Sequence, residues 1–287
     1  MPEYSSLAAD LHTWKLTLAY DGTDFRGWQV QPGERTIQGE LQQALGRVTG
    51  EIPLPQGSGR TDAGVHALGQ VASFALRAPI PVENLQRALN RTLPDSIRIL
   101  NASTAPSTFH ARHSAVAKTY EYRVWLAKSG CDAVCSPLLA RYVDAFPWPL
   151  DLDKLESAAQ HFLGEHDFLS FAATDPDSTT RNEKATDAQS TNVEEQPSTI
   201  RTIFSSTWTK KETEDTDLLI YRVRGNGFLH HMVRNLVGTM LDVGRGHVKA
   251  EAIPGIFAAR SRSAAGPTAP ARGLFLHSVE YEETHPH

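Results

Sequence analysis

Apolar and polar residues alternate along Lys15–Tyr20, with Leu16, Leu18 and Tyr20 on one side and Thr17 and Ala19 on the other. That is the pattern of a half-buried strand. A Gly- and Asp-rich loop follows, "DGTDFRGWQ". Ile37, Leu41, Ala44, Leu45 and Val48 then recur at helical spacing behind Thr36, a suitable N-cap. Gln70–Leu76 predicts a strand. Pro81 opens a helix carrying Leu85 and Leu89, and Pro94 closes it. Ile97–Ala102 predicts a short strand. Thr119–Leu126 sets Tyr120, Tyr122 and Val124 against Glu121, Arg123 and Trp125, a strong strand signal.

The second half mixes the same elements. Asp151 caps a helix with Leu152, Leu155, Ala159 and Phe162, stopped by Gly164. Ile203–Thr209 and Leu218–Arg224 flank the charged turn "KKETED" and predict a hairpin. A long helix is expected over Gly227–Val243, a shorter one over Ala250–Ala258, and a closing strand over Leu274–Tyr281. Strands and helices do not alternate regularly. The pattern therefore predicts an α+β fold of two subdomains, with mainly antiparallel sheets, helices packed on one side and a catalytic cleft between them. The expected division is a flexible N-terminus over 1–14, an N-terminal subdomain over 15–117 and a C-terminal one over 118–287. The second carries a polar, acidic insertion over 174–198, read as a surface insertion without hydrophobic period.

Composition narrows this little. The chain has 287 residues, 40% hydrophobic and 21% charged, ordinary for a soluble globular protein. The first residues lack the basic and apolar regions of a signal peptide. No apolar run approaches the roughly 18 residues of a membrane span. The two cysteines, Cys131 and Cys135, match neither a disulfide framework nor a four-ligand zinc site, so reduced thiols in a cytoplasmic protein are expected. Net charge is −5, which argues against a nucleic-acid partner unless basic residues gather locally. Most of the net negative charge lies in the insertion, where Asp175, Asp177, Glu183, Asp187, Glu194 and Glu195 stand against only Arg181 and Lys184. The basic residues are mostly arginine, which suits bidentate phosphate contact.

The stretch "GSGRTDAGVHALGQV", Gly57–Val71, holds the clearest candidate chemistry. Residues two apart in extended backbone point to the same side, so Arg60 and Asp62 project together. Gly57, Gly59 and Gly64 permit positive φ and close approach. An ionised Asp62 can serve as nucleophile or general base, and a nearby guanidinium keeps such a carboxylate charged. The same spacing also fits a structural Arg–Asp pair in a tight turn.

"GRTDAGVHALGQV" resembles the catalytic signature of the tRNA pseudouridine synthase A family. The resemblance extends through "YDGTDFRGWQVQ", "FHARHSAVAKTYEYRV", "LGEHDFLSF", "NGFLHHMVRNLVGTM" and "PARGLFLHSVEY", in order along nearly the whole chain. It implies isomerisation of uridine to pseudouridine in the tRNA anticodon stem-loop, at positions 38 to 40. It implies Asp62 as the catalytic aspartate, Arg60 as a residue that helps extrude the target nucleotide, and Tyr120 stacked on the flipped uracil. Arg234, in "HHMVRN", is implied to pair with the catalytic carboxylate. Arg60, Tyr120, His66 and Arg26 are expected to bind substrate. A homodimer with a basic cleft is implied, with tRNA as partner and no cofactor or metal. Candidates for that cleft are Arg26, Arg60, Arg77, Arg87, Arg91, Arg112, Arg123 and Arg245.

Plainer readings stand beside these. Tyr120 on an alternating strand face reads as core, as does Trp28. Arg234 on an apolar helix is either a snorkelling residue or a buried partner. His230 and His231, adjacent on a helix, would face different directions. His161, Glu165 and His166 in "HFLGEHDF" approximate an inverted zinc-protease motif, but the His–Glu gap is one residue too long and Gly164 interrupts the helix. The acidic insertion is longer than the family pattern suggests, and it precedes "TIRTI" (Thr199–Ile203). A non-catalytic tRNA-binding module on the same scaffold is the alternative to the enzyme, and a metal-dependent hydrolase is a third reading.

Overall fold

The computed structural model describes residues 11–78, 80–128, 134–173, 198–212 and 216–282. Cys131, residues 1–10, the acidic stretch through residue 197 and the end of the "KKETED" turn lie outside the described residues. The strands are β1 (His12–Tyr20), β2 (Gln56–Gly57), β3 (His66–Leu76), β4 (Ile97–Ala105), β5 (Ala115–Ala127), β6 (Asp144–Ala145), β7 (Gly164–Asp167), β8 (Ile200–Glu212), β9 (Thr216–Gly225) and β10 (Leu274–Tyr281). The helices are α1 (Ile37–Thr49), α2 (Val82–Thr92), α3 (Pro137–Ala140), α4 (Leu152–Gln160), α5 (Met232–Gly244) and α6 (Ile253–Ala259). The chain divides into two compact units: Met1–Thr119 with Phe275–His287, and Tyr120–Leu274.

In the first unit the sheet runs β4-β1-β3-β10, with β2 added to β3. Trp14, Leu16 and Leu18 lie opposite Phe74, Ala72 and Gln70. This face is buried, and α1 and α2 cover it with Ile37, Leu41, Ala44, Leu45, Leu85 and Leu89. Burying each such aliphatic side chain stabilises by roughly 1.5–3 kcal/mol. Thr36 caps α1 by accepting from the Gly39 N–H, and left-handed Gly50 ends it. Leu93 stops α2 in extended conformation, as the following Pro94 requires. β1 begins at His12, earlier than the alternation first read, because Trp14 extends the buried row by one position.

In the second unit the order is β5-β9-β8-β7, with β6 beside β5. β8 and β9 form a long antiparallel pair that sets Trp208 opposite Tyr221. The Trp208 indole N–H donates to the Met240 sulfur of α5 at 3.3 Å. Phe162, Phe168, Phe171 and Phe257 pack with ring centroids 5.1 to 6.2 Å apart and bind α4 and α6 into this core. Asp151 caps α4 through the Lys154 N–H.

Pairing is antiparallel for β1–β3, β1–β4, β2–β3, β7–β8 and β8–β9, and parallel for β3–β10 and β5–β6. The fold is α+β with mainly antiparallel pairing, as predicted. The expected long helix over Gly227–Val243 is corrected: α5 starts at Met232. His231 precedes it with φ +57°, which no helix interior allows, and Asn226 is tied to Thr202 by bonds in both directions. No helix among the described residues is long and apolar enough to cross a membrane.

Candidate active site

Asp62 sits on the loop between β2 and β3, and three layers of hydrogen bonds fix that loop. Ser58 pairs with β3 through its N–H to the Val71 carbonyl, and its hydroxyl donates to Gln70 Oε1 at 2.7 Å. The Gln70 amide donates to the Gly59 carbonyl at 2.7 Å and reaches the Tyr20 hydroxyl oxygen at 3.4 Å. Tyr20 in turn lies 2.8 Å from Thr61 Oγ1. Burial pushes the Tyr20 hydroxyl up to about 12, partly opposed by its hydrogen bonds with Thr61 and Gln70.

Thr61 is buried between an exposed Arg60 and a half-buried Asp62. Anchoring Thr61 inward therefore turns its two neighbours outward. The segment is a loop rather than a strand, with the Val65 N–H donating to the Asp62 carbonyl. The "DGTDFRGWQ" loop is laced to it: the Trp28 N–H donates to the Thr61 carbonyl at 3.0 Å and the Gly64 N–H to Phe25 at 3.3 Å. Gly27 is required there. It has φ +90°, and a Cβ would lie 2.5 Å from the Thr61 carbonyl oxygen. Trp28 is a buried core anchor, and a Cβ on Gly57 would collide with its ring.

Arg26 is exposed and pairs with Glu34 at 3.3 Å. His66 opens β3 at 1% exposure, its ring stacked on Phe275 at 4.7 Å. Its Nδ1 accepts from the Gly22 N–H at 3.1 Å, so that nitrogen carries no proton, and the Asp21 carboxylate 3.3 Å away is a neighbour rather than its acceptor. Lys118 donates its ammonium to the Ser58 carbonyl, placing a cation on the same loop.

Tyr120 and Arg234 belong to the second unit. Tyr120 is the unit's first residue and is 7% exposed, its ring edge-on to Phe228 at 5.0 Å. Phe228 belongs to the segment that precedes α5, inside the stretch expected to be helical. Arg234, in the first turn of α5, donates Nε to the Ala269 carbonyl at 2.7 Å, and the Ala269 N–H returns a bond to the Arg234 carbonyl. This double tie orients the guanidinium. Beside it, the Tyr122 hydroxyl donates to the Pro270 carbonyl at 2.9 Å, with Asp144 at 3.3 Å. Burial and then Asp144 push Tyr122 well above the usual tyrosine value, against the opposing charges of Arg234 and Arg272. The left-handed cap at His231 brings its ring to 4.0 Å from that of His230, which corrects the expectation that the pair diverges on a helix.

"HFLGEHDF" does not form a ligand set. His161 caps α4, while Glu165 and His166 are neighbours on β7 and so point to opposite sides. His166 stacks on Phe257 at 4.6 Å and bonds the Leu163 carbonyl. Gln70 is the residue that sequence reasoning missed. Its signal was a polar side chain in a strand at a position whose cross-strand partner, Leu18, faces the core.

Residues 17–114 and 158–282 match the family described as tRNA pseudouridine synthase. A protein of Solibacter usitatus named tRNA pseudouridine synthase A is 51% identical over 93% of this chain and 98% of its own length. Proteins of the same name from Maridesulfovibrio salexigens and Bacillus pumilus are 43% and 41% identical, over 94% and 93% of this chain and 90% and 98% of their own lengths. With that match spanning the Asp62 loop, Arg234 and the closing strand, the chain belongs to the tRNA pseudouridine synthase family.

Proposed function

We propose that this protein converts uridine to pseudouridine at positions 38 to 40 of the tRNA anticodon stem-loop, with Asp62 as the reacting carboxylate. The observation that carries the reading is the family match across an intact "GRTDAGVH" segment. The anchored Thr61 supports it by turning Arg60 and Asp62 outward on a rigid loop.

The reaction breaks the N1–C1′ bond of uridine, turns the uracil and forms a C5–C1′ bond, with the C5 proton finally transferred to N1. No atom or electron is gained, so no redox group or phosphate energy is required. Asp62 acts as nucleophile at C1′ or as base at C2′. A paired uridine must leave its stack, which costs a few kcal/mol, and Arg60 helps hold the everted nucleotide. Tyr120 lies against the uracil, its ring steadied by Phe228. Arg234, oriented by Ala269, pairs with the carboxylate and keeps it charged. Arg26 contacts the RNA, and His66 serves the site by holding the Asp21–Gly22 turn. The proposal includes a homodimer, because a chain of net charge −5 must gather its arginines locally to hold a polyanion.

Treating unmodified tRNA transcripts with the protein and mapping pseudouridine by position tests the reading. Product confined to positions 38 to 40 is expected. tRNA binding without product would favour the non-catalytic binding module, and activity abolished by a chelator would favour metal chemistry.

A further inference from the structure

The loop that leads to Ala269 lies directly on α5. A Cβ added to Gly238, in the middle of that helix, would overlap the Pro267 carbonyl oxygen, and one on Gly266 would fall 2.7 Å from the Thr239 Cα. Backbone packs on backbone there, a closeness that glycine permits. Polar bonds fasten the contact. Arg262 spreads its guanidinium over the loop and the helix: Nη1 donates to the Ala265 and Gly266 carbonyls at 3.3 and 2.9 Å, and Nη2 to Asn235 Oδ1 and Thr268 Oγ1 at 3.0 and 2.9 Å. The Thr268 hydroxyl donates its own proton to Asn235 Oδ1 at 2.7 Å. Asn235 is fully buried, and its amide donates to the Phe171 carbonyl at 2.7 Å. The Gly266 N–H donates to Thr239 Oγ1, whose proton goes to the Asn235 carbonyl at 2.8 Å.

This network closes around Arg234. Asn235 follows Arg234 in the first turn of α5, and Thr268 precedes Ala269. The Ala269 carbonyl accepts from Arg234 Nε at 2.7 Å, and its N–H donates to the Arg234 carbonyl at 3.1 Å. The Arg262 fork thus joins the residues on either side of the double tie that orients Arg234. Bonds of this kind largely replace bonds to water and add little net stability. What a fully satisfied buried network adds is one defined geometry. A loop displaced by an ångström would carry the Ala269 carbonyl with it and turn the Nε edge of Arg234. We propose that Arg262 is a positioning residue, which with Asn235 and Thr268 locks the loop on α5 and so aims the Arg234 guanidinium. It rests on the reading that Arg234 serves the chemistry at Asp62, and it extends that reading to a second arginine that acts through the first.

The test is a double-mutant cycle in single-turnover pseudouridine formation on an unmodified tRNA transcript at saturating enzyme, with tRNA Kd measured alongside. Arg262→Gln should slow turnover about 10–100-fold, because a small misplacement of a catalytic group costs that much, while Kd stays within a few-fold of wild type. Arg262→Lys should not restore the rate, since one ammonium cannot reproduce the planar fork. Thr268→Val should slow turnover about 5-fold or more, and Thr268→Ser, which keeps the hydroxyl, should restore it. In an Arg234→Ala background, Arg262→Gln should cost less than about 2-fold further, because nothing is left to aim. Thermal melts verify folding, and Thr268→Val carries the cycle should Arg262→Gln fail to fold. Losses that multiply in the two backgrounds would show a merely structural role and overturn the inference. So would equal losses in rate and affinity, or wild-type turnover in both Arg262→Gln and Thr268→Val. Hydrogen exchange of the Arg234 Nε–H, read by NMR of arginine-labelled protein, needs no activity and should quicken about 10-fold or more in Arg262→Gln or Thr268→Val. A wild type that makes no pseudouridine would defeat the proposed function. Quickened exchange would then leave Arg262 as the residue that orients Arg234, and unchanged exchange would overturn that as well.

Discussion

The side-chain amide of Gln70 donates to the carbonyl of Gly59 at 2.7 Å, so a residue in the middle of β3 holds the backbone just ahead of Asp62. The same amide group also accepts from Ser58 and reaches Tyr20, which faces Thr61. Replacing it unfastens several buried polar groups at once. Gln70→Leu should lower stability by about 2–4 kcal/mol, since each buried group left unsatisfied costs roughly 1–3 kcal/mol. It should also slow single turnover. A urea midpoint unchanged from wild type would show that the loop does not depend on this network.

Asp62→Asn tests the chemistry directly. The amide keeps the size but is neither a nucleophile nor a base. Pseudouridine formation should fall by at least about 10²–10⁴-fold, while tRNA affinity stays within a few-fold of wild type. Residual product near the wild-type rate would remove Asp62 from its role.

If Arg234 has its proposed role of stabilising charge at the reacting carboxylate, Arg234→Ala should reduce turnover far more than binding, by roughly 10²–10³-fold in single-turnover rate. Equal losses in rate and affinity would show that it serves RNA binding instead.

Gly27→Ala adds a Cβ 2.5 Å from the Thr61 carbonyl oxygen at a residue with φ +90°. Both the clash and the left-handed backbone act on the Asp62 loop. A loss of about 1–3 kcal/mol in stability is expected, with turnover reduced about 10-fold or more and tRNA affinity little changed. Wild-type turnover would show that the loop tolerates displacement.

Two buried carboxylates in the second unit should respond to pH in opposite senses. The bonds from Arg123 and Arg222 outweigh burial at Glu121 and hold it below the ordinary glutamate value of 4.5. Its stabilising contribution is therefore present above that value and lost as pH falls through its lower folded-state value. Burial raises Asp144 above the ordinary 3.8 despite Arg272 and Tyr122. Its contribution is present below 3.8 and lost as pH rises through its higher folded-state value. Urea midpoints from about pH 3 to about pH 7 should show Glu121→Gln falling behind wild type as pH rises, and Asp144→Asn gaining on it. Parallel curves would sink both assignments.

The elements that sequence predicted well are those whose signals are local. Thr36 and Asp151 cap their helices because a short oxygen-bearing side chain can reach an N–H two or three residues on, whatever surrounds it. The alternation of Tyr120, Tyr122 and Val124 against Glu121 and Arg123 predicted β5 because a strand has a period of two. The α5 start failed for the complementary reason. Phe228 and Met232 keep helical spacing, yet the backbone between them is set by Asn226 bonding to Thr202 and by a left-handed His231, neither of which periodicity can register. His66 was expected from the resemblance to bind substrate, and no local pattern registers its burial or its stacking on Phe275, more than two hundred positions away.

By itself, then, the order of residues determined the α+β class, the helix caps, the faces of the strands and the segment that carries Asp62, because each is encoded within a few neighbouring positions. Tertiary structure alone decided that residues 275–287 join the first unit, that Gln70 and Tyr20 pin the Asp62 loop, and that one buried glutamate aligns Arg123 with Arg222. Those relationships join residues distant in the chain, and whether a polar group is satisfied depends on which partners the packed core places within hydrogen-bonding reach.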